Sequence, residues 1–154
     1  RLWTQALEIR RNGADTTDTV YTLSGIAAAQ REQSRLGDAR KNIDEAVALL
    51  RAHPSPKPTH LARTLIEHVE VDLALGIVAC ADAEEALALM TKHASQDDPH
   101  RLYVNAIAAG CALRAADDTR TRQRVIEAQA AIRAEYPADA AHLKQALRYA
   151  IPNS

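Results

Sequence analysis

Apolar residues recur along this chain at three- and four-residue intervals, and no alternating run is long enough to make a convincing strand. In segment 38–53 the stripe is Ala39, Ile43, Ala46, Val47 and Leu50, one face of an amphipathic helix. Proline punctuates the pattern. Pro54, Pro56 and Pro58 share one break, Pro99 follows Asp97 and Asp98, and Pro137 follows Tyr136. A residue without an N–H stops a helix interior, so each proline marks a boundary. Gly37, Gly76 and the pair Asp117 and Asp118 mark softer breaks. Glycine supplies a left-handed residue at a helix end, and aspartate caps the next helix. The pattern predicts helices over 1–11, 17–35, 38–53, 59–75, 79–94, 99–115, 119–135 and 138–150. The connections are short, which predicts antiparallel neighbours.

The stripe repeats. Forty residues on from 38–53 it becomes Ala79, Ala83, Ala86, Leu87 and Met90, and forty back it is Trp3, Ala6 and Leu7. A further shift of 42 gives Val125, Ala128 and Ile132, with polar Gln129 breaking the match. The preceding helices repeat too. Val20, Leu23, Ile26 and Ala27 align with Thr59, Ala62, Leu65 and Ile66 at a shift of 39, which also carries Gly37 onto Gly76. Arg101, Val104, Ile107 and Ala108 follow at a shift of 42. A period near 40 with one helical hairpin in each period predicts a stacked solenoid, because one hairpin alone cannot bury its apolar stripe.

Composition supports the helical reading. The 154 residues include 32 Ala, five Gly and no Phe, so strong helix formers dominate and strand formers are scarce. Nineteen Lys and Arg against 20 Asp and Glu leave a net charge of −1. That balance lacks the basic patch of a nucleic-acid surface or a polybasic membrane anchor. No apolar run reaches bilayer length, and no secretory signal opens the sequence. Two Cys make no disulfide framework, so a reducing, cytoplasmic setting is the expectation.

The segments LGDARKNIDEAVALL at 36–50, LWTQALEI at 2–9 and YVNAIAAGCAL at 103–113 resemble tetratricopeptide repeats in their longer, kinesin-light-chain-like form. Ala39, Ile43 and Ala46 occupy that family's small, large and small positions. The copy at 59–94 is degenerate, with Glu67 and His68 where the family has glycine and tyrosine. The resemblance implies an all-α, right-handed superhelix of antiparallel hairpins: the tail of a repeat at 1–11, repeats at 17–53, 59–94 and 99–135, and a capping helix at 138–150. It implies a protein–protein interaction module, a C-terminal fragment of a larger bacterial regulatory protein, whose first helices line a groove for a peptide or for another domain of the same chain.

The residues one step beyond the buried stripe are then expected to face that groove. They are Ser24, Arg63 and Asn105 in one row, with Arg31, Glu67 and Glu70 in the neighbouring rows. Asn105 matches the family position whose amide binds a peptide main chain, since it both donates and accepts. Arg31 and Arg63 are bidentate sites for carboxylates, and Glu67 and Glu70 carry the opposite sign. The same residues also read as solvated helix faces with local ion pairs. Two other functions stay open: a self-associating structural module without a groove ligand, and a helical enzyme with its site between hairpins.

No catalytic or metal constellation is evident, and no cofactor is expected. The chain has no glycine-rich phosphate loop, no G-x-S-x-G and no H-E-x-x-H. His53, His60, His68, His93, His100 and His142 include no i,i+4 pair and are read as surface residues. Cys80 and Cys111 lie in apolar stripes and are read as buried, inert thiols. At the ends, Leu2, Trp3 and Leu7 are expected to leave an apolar patch suited to self-association. Ala140, Leu143, Leu147 and Ile151 are expected to form the inner face of a cap.

Overall fold

Leucine and alanine at helical spacing, with proline or aspartate at each entrance, produce helices only. The computed structural model describes residues 16–96 and 98–135. Six helices and no strand occur among the described residues: α1 (Thr16–Glu32), α2 (Leu36–Ala52), α3 (Pro58–Ala74), α4 (Ala81–His93), α5 (Pro99–Ala115) and α6 (Thr119–Glu135). The predicted spans hold to within about three residues. The expected helices at 1–11 and 138–150, with the Leu2, Trp3 and Leu7 patch and the cap, lie outside the described residues.

Local chemistry explains the boundaries. Pro58 and Pro99 open α3 and α5, where a missing N–H costs nothing. The Asp98 carboxylate accepts the N–H of His100 at 2.9 Å. Asp118 and Thr121 cap α6 reciprocally: the Thr121 N–H donates to Asp118 Oδ1 at 2.8 Å, and the Asp118 N–H donates to Thr121 Oγ1 at 3.1 Å. Helix α4 starts later than its aligned stripe predicts. Ala79 is exposed and lies in the extended link ahead of the helix, so that helix buries only Ala83, Ala86 and Met90.

Two helix ends are built alike. The N–H of Arg35 bonds to the Gln30 carbonyl while that of Ser34 bonds to Arg31. The N–H of Ile77 bonds to Asp72 while that of Gly76 bonds to Leu73. Both are Schellman closures with a left-handed residue second past the helix, at φ 60° for Ser34 and 78° for Gly76. Gly37, expected to serve as the turn residue of its hairpin, lies instead in the first turn of α2, and Ser34 takes the left-handed place. A side chain there is strained by about 1 kcal/mol. Ser34→Gly is therefore expected to raise stability by about 0.5–1 kcal/mol and Gly76→Ala to lower it by about 1 kcal/mol, as urea denaturation would measure.

Consecutive helices pack on one another, and α3 also touches both α1 and α5. Each helix contributes at least one large, buried apolar side chain, among them Leu23, Ile43, Leu65, Met90, Ile107 and Ile132. Alanines fill the remaining contacts, among them Ala27, Ala39, Ala46, Ala62, Ala83 and Ala86, and let the backbones approach closely. One apolar cluster runs from α1 to α5, and a second joins α5 to α6. Helix α5 serves both. Val104, Ile107, Ala108 and Cys111 belong to the first cluster, while Ala106, Ala109 and Leu113 belong to the second. This double burial explains why α5 is apolar almost all round.

The cysteines correct the sequence reading. Cys80, at the cap of α4, and Cys111, within α5, are joined by a disulfide with their Cα atoms 5.7 Å apart. The apolar surroundings expected for inert thiols bring the two sulfurs together instead, across a contact that no sequence period reveals. No free cysteine remains.

Candidate functional site

The six residues expected to line a groove lie on α1, α3 and α5, and the structure divides them into two groups. The first is buried. Arg31, in the last turn of α1, is only 7% exposed, and Glu70, near the end of α3, is 1% exposed. Arg31 Nε donates to Glu67 Oε1 at 2.9 Å, its Nη1 donates to Glu32 Oε1 at 3.0 Å, and its Nη2 lies 3.6 Å from Glu70 Oε2. From α5 the Tyr103 hydroxyl donates to Glu70 Oε1. Arg31 and Glu70 thus serve each other inside the stack instead of presenting their charges to a ligand. That corrects the expectation that both face open space: the α1–α3 contact is close enough to cover them.

The electrostatics of this cluster follow from burial. Glu70 is pushed up to about 8, first by desolvation and then by the charge of Glu67, against the pull of Arg31 and Tyr103. Glu67 is also raised, because desolvation outweighs its hydrogen bond to Arg31. Burial, and then the charge of Glu70, keep the Tyr103 phenol well above its ordinary value.

The second group has hydrogen-bonding capacity to spare. Ser24 Oγ and Arg63 Nε are buried atoms without a hydrogen-bond partner among the described residues. Arg63 spends one Nη on a long contact with Asp98 Oδ2 at 3.5 Å. Asn105 is half-buried, and its amide makes no hydrogen bond among the described residues. The row is not straight. Contacts from α1 to α3 join residues 39 and 36 apart, at or three residues short of the aligned shift of 39. Contacts from α3 to α5 join residues 35 and 33 apart, short of the aligned 42. Asn105 therefore stands farther along α3 than Arg63, toward Glu70.

A third set of side chains escaped the sequence reading. His68, expected at the surface, has a side chain only 14% exposed. Its Nε2 lies 3.0 Å from Asp44 Oδ1 on α2, and its Nδ1 lies 2.7 Å from Asp82 Oδ2 on α4. Arg40 pairs with Asp44 at 2.8 Å and reaches buried Asp72, while Arg51 joins Asp82 at 3.3 Å and Glu85 at 2.7 Å. The i,i+4 pair Arg40–Asp44 was legible, but the other partners sit on different helices. These ion pairs tie α2, α3 and α4 together. Arg124 on α6 likewise pairs with Glu84 on α4 at 2.7 Å.

Elsewhere, the Tyr21 hydroxyl meets His60 Nε2 at 2.6 Å. Burial, aided by the nearby Lys57 and Arg63 cations, holds His60 below its ordinary value and favours the neutral ring that accepts this bond. His60, His53 and Lys57 border a cleft of about 150 Å³ beside the start of α1. Among the described residues no three His, Cys, Asp or Glu side chains are grouped to hold a metal ion, and no helix is long and apolar enough to cross a membrane. Comparison with protein-family models finds no match to this sequence, and comparison with curated proteins finds none at significance.

Proposed function

We propose that this chain is a non-catalytic interaction module, a right-handed, tetratricopeptide-like stack of antiparallel helical hairpins whose α1, α3 and α5 line a concave face for a peptide segment or a partner domain. The observation that carries this reading is the spare hydrogen-bonding capacity along those helices. Buried polar atoms normally find partners, and leaving one unmade costs about 1–3 kcal/mol. The half-buried Asn105 amide and the partly exposed guanidinium end of Arg63 supply donors and an acceptor that a peptide main chain would satisfy, while Ser24 Oγ and Arg63 Nε lie buried behind them without partners. Arg31, Glu67, Glu70 and Tyr103 support that face from beneath.

Titration with a peptide library, read by fluorescence anisotropy, tests the proposal. For any peptide recovered, Asn105→Ala and Arg63→Ala are each expected to weaken binding about tenfold, equivalent to about 1.4 kcal/mol. Lys41→Ala, on an exposed position of α2, is expected to leave it unchanged. Binding that survives both of the first two substitutions would place the site elsewhere. Self-association is the second reading, favoured by exposed Leu75, Ile77 and Val78 in the link between α3 and α4. Sedimentation velocity against concentration, repeated on Ile77→Asp, separates the two.

A further inference from the structure

The disulfide is unevenly placed between core and surface. Cys111, within α5, is fully buried in the apolar cluster that runs from α1 to α5. Cys80 is half-buried and closes the link ahead of α4. That link has few bonds of its own. The N–H groups of Gly76 and Ile77 close the end of α3, but Val78 and Ala79 make no hydrogen bond among the described residues. Leu75, Ile77 and Val78 are exposed. Helix α4 is the shortest of the six described helices, with 13 residues where the others have 17. Ala79 is exposed, although its aligned partner Ala39 in α2 is fully buried. The residues that correspond to the first turn of α2 are thus unwound ahead of α4, and the bond from Cys80 to Cys111 ties their end to the core.

We propose that Cys80 is a thiol–disulfide exchange site and that the Cys80–Cys111 bond is a redox latch, opened by a dithiol reductant to release the link from α5 while the helices stay packed. A thiolate of the dithiol attacks Cys80 Sγ, the sulfur of the less buried cysteine. The S–S bond breaks with its electron pair going to Cys111 Sγ. Cys111 takes up a proton and stays in the core, where a free cysteine packs as a small apolar side chain. The second thiol of the reductant then attacks the reductant's own sulfur in the mixed disulfide, closes the reductant into a disulfide and frees Cys80 as a thiol. Two electrons and two protons pass from the dithiol to the two cysteines, and exchange with an oxidised partner of the same class reverses the step. A bond with both cysteines deep in the core would open only as the core opens. Here the less buried cysteine stands on a segment with few bonds, so local opening suffices. The latch does not depend on the peptide-binding reading, and its test uses no ligand.

Incubation of the intact chain with dithiothreitol at room temperature, without denaturant, is expected to reduce the bond while the helical circular dichroism signal is kept. Brief treatment of the reduced protein with iodoacetamide, mapped by mass spectrometry, is expected to label Cys80 at least about tenfold faster than Cys111, since thiol reactivity follows exposure. Limited digestion with subtilisin reads the link itself. Cutting within 75–80 is expected to be at least about tenfold faster after reduction, because proteolysis follows the population of the open form. The first new cuts are expected there and not within the helices. The double variant Cys80→Ala with Cys111→Ala is expected to be cut in the link at the reduced rate, with or without dithiothreitol. Should that variant not fold, the wild-type measurements decide alone. A bond that resists dithiothreitol until denaturant is added, loss of the helical signal on reduction, Cys111 labelled as fast as Cys80, an unchanged cutting rate in the link, or first cuts within the helices would each overturn the latch.

Discussion

Replacing Arg31 with alanine is expected to destabilise the fold by about 3–5 kcal/mol, the usual cost of removing one partner from a buried ion pair. The side chain is 5% exposed and holds Glu67 at 2.9 Å, so its loss strands a carboxylate that water reaches poorly. The penalty should grow with pH. Below about pH 5 the orphaned carboxyls can take up protons, and only the lost hydrogen bonds and packing remain to be felt. Near pH 9 protonation is no longer available. Urea denaturation of wild type and Arg31→Ala at both pH values measures the difference. Arg31→Lys keeps the charge but not the planar fork that meets Glu32, Glu67 and Glu70 together, and is expected to fall between them. An Arg31→Ala variant within about 0.5 kcal/mol of wild type at both pH values would show that the cluster contributes nothing to stability.

Reduction of the Cys80–Cys111 bond is the second large effect expected. The crosslink closes 31 residues of chain, for which loop-closure entropy gives about 3–4 kcal/mol. For a chain of this size that corresponds to roughly 10–15 °C in melting temperature. Calorimetry with and without a dithiol reductant measures the shift. The double variant Cys80→Ala with Cys111→Ala should lie close to the reduced protein and be indifferent to reductant. Cys111 is fully buried among apolar residues, so some of the double variant's deficit will come from lost packing. An unchanged melting temperature on full reduction, checked by thiol counting, would contradict the expectation.

Much of the architecture was legible in the residues. Of the predicted stripe, Ala39, Ile43, Ala46 and Leu50 are buried and Val47 is partly so, and Val125, Ala128 and Ile132 are buried as predicted. Pro58, Pro99 and Asp98 open helices where their chemistry requires. These features depend on three- and four-residue spacing or on a single backbone atom, and both are local. What escaped the reading depends on which helices meet and at what height. His68 looked solvent-facing because neither Asp44 nor Asp82 lies within a helical turn of it. Tyr103 drew no reading of its own, because its partner Glu70 is 33 residues away. The disulfide was hidden for the same reason. Its cysteines read as two separate apolar positions until the link ahead of α4 crosses α5. Of the six groove candidates, the sequence identified the helices that carry them. It did not separate Arg31 and Glu70, which are buried, from Asn105, which remains half in solvent.

The described helices bury large apolar residues beside alanines, and that arrangement divides the positions by their freedom to change. An alanine at a close backbone contact cannot grow without forcing two helices apart, a change that typically costs about 1–3 kcal/mol. A large buried residue beside it cannot shrink without leaving a void. Drift is thereby confined to the outward positions, Lys41 among them, where substitution leaves the scaffold intact. A lineage built on this plan can rewrite its surface letters widely while its frame stays the same.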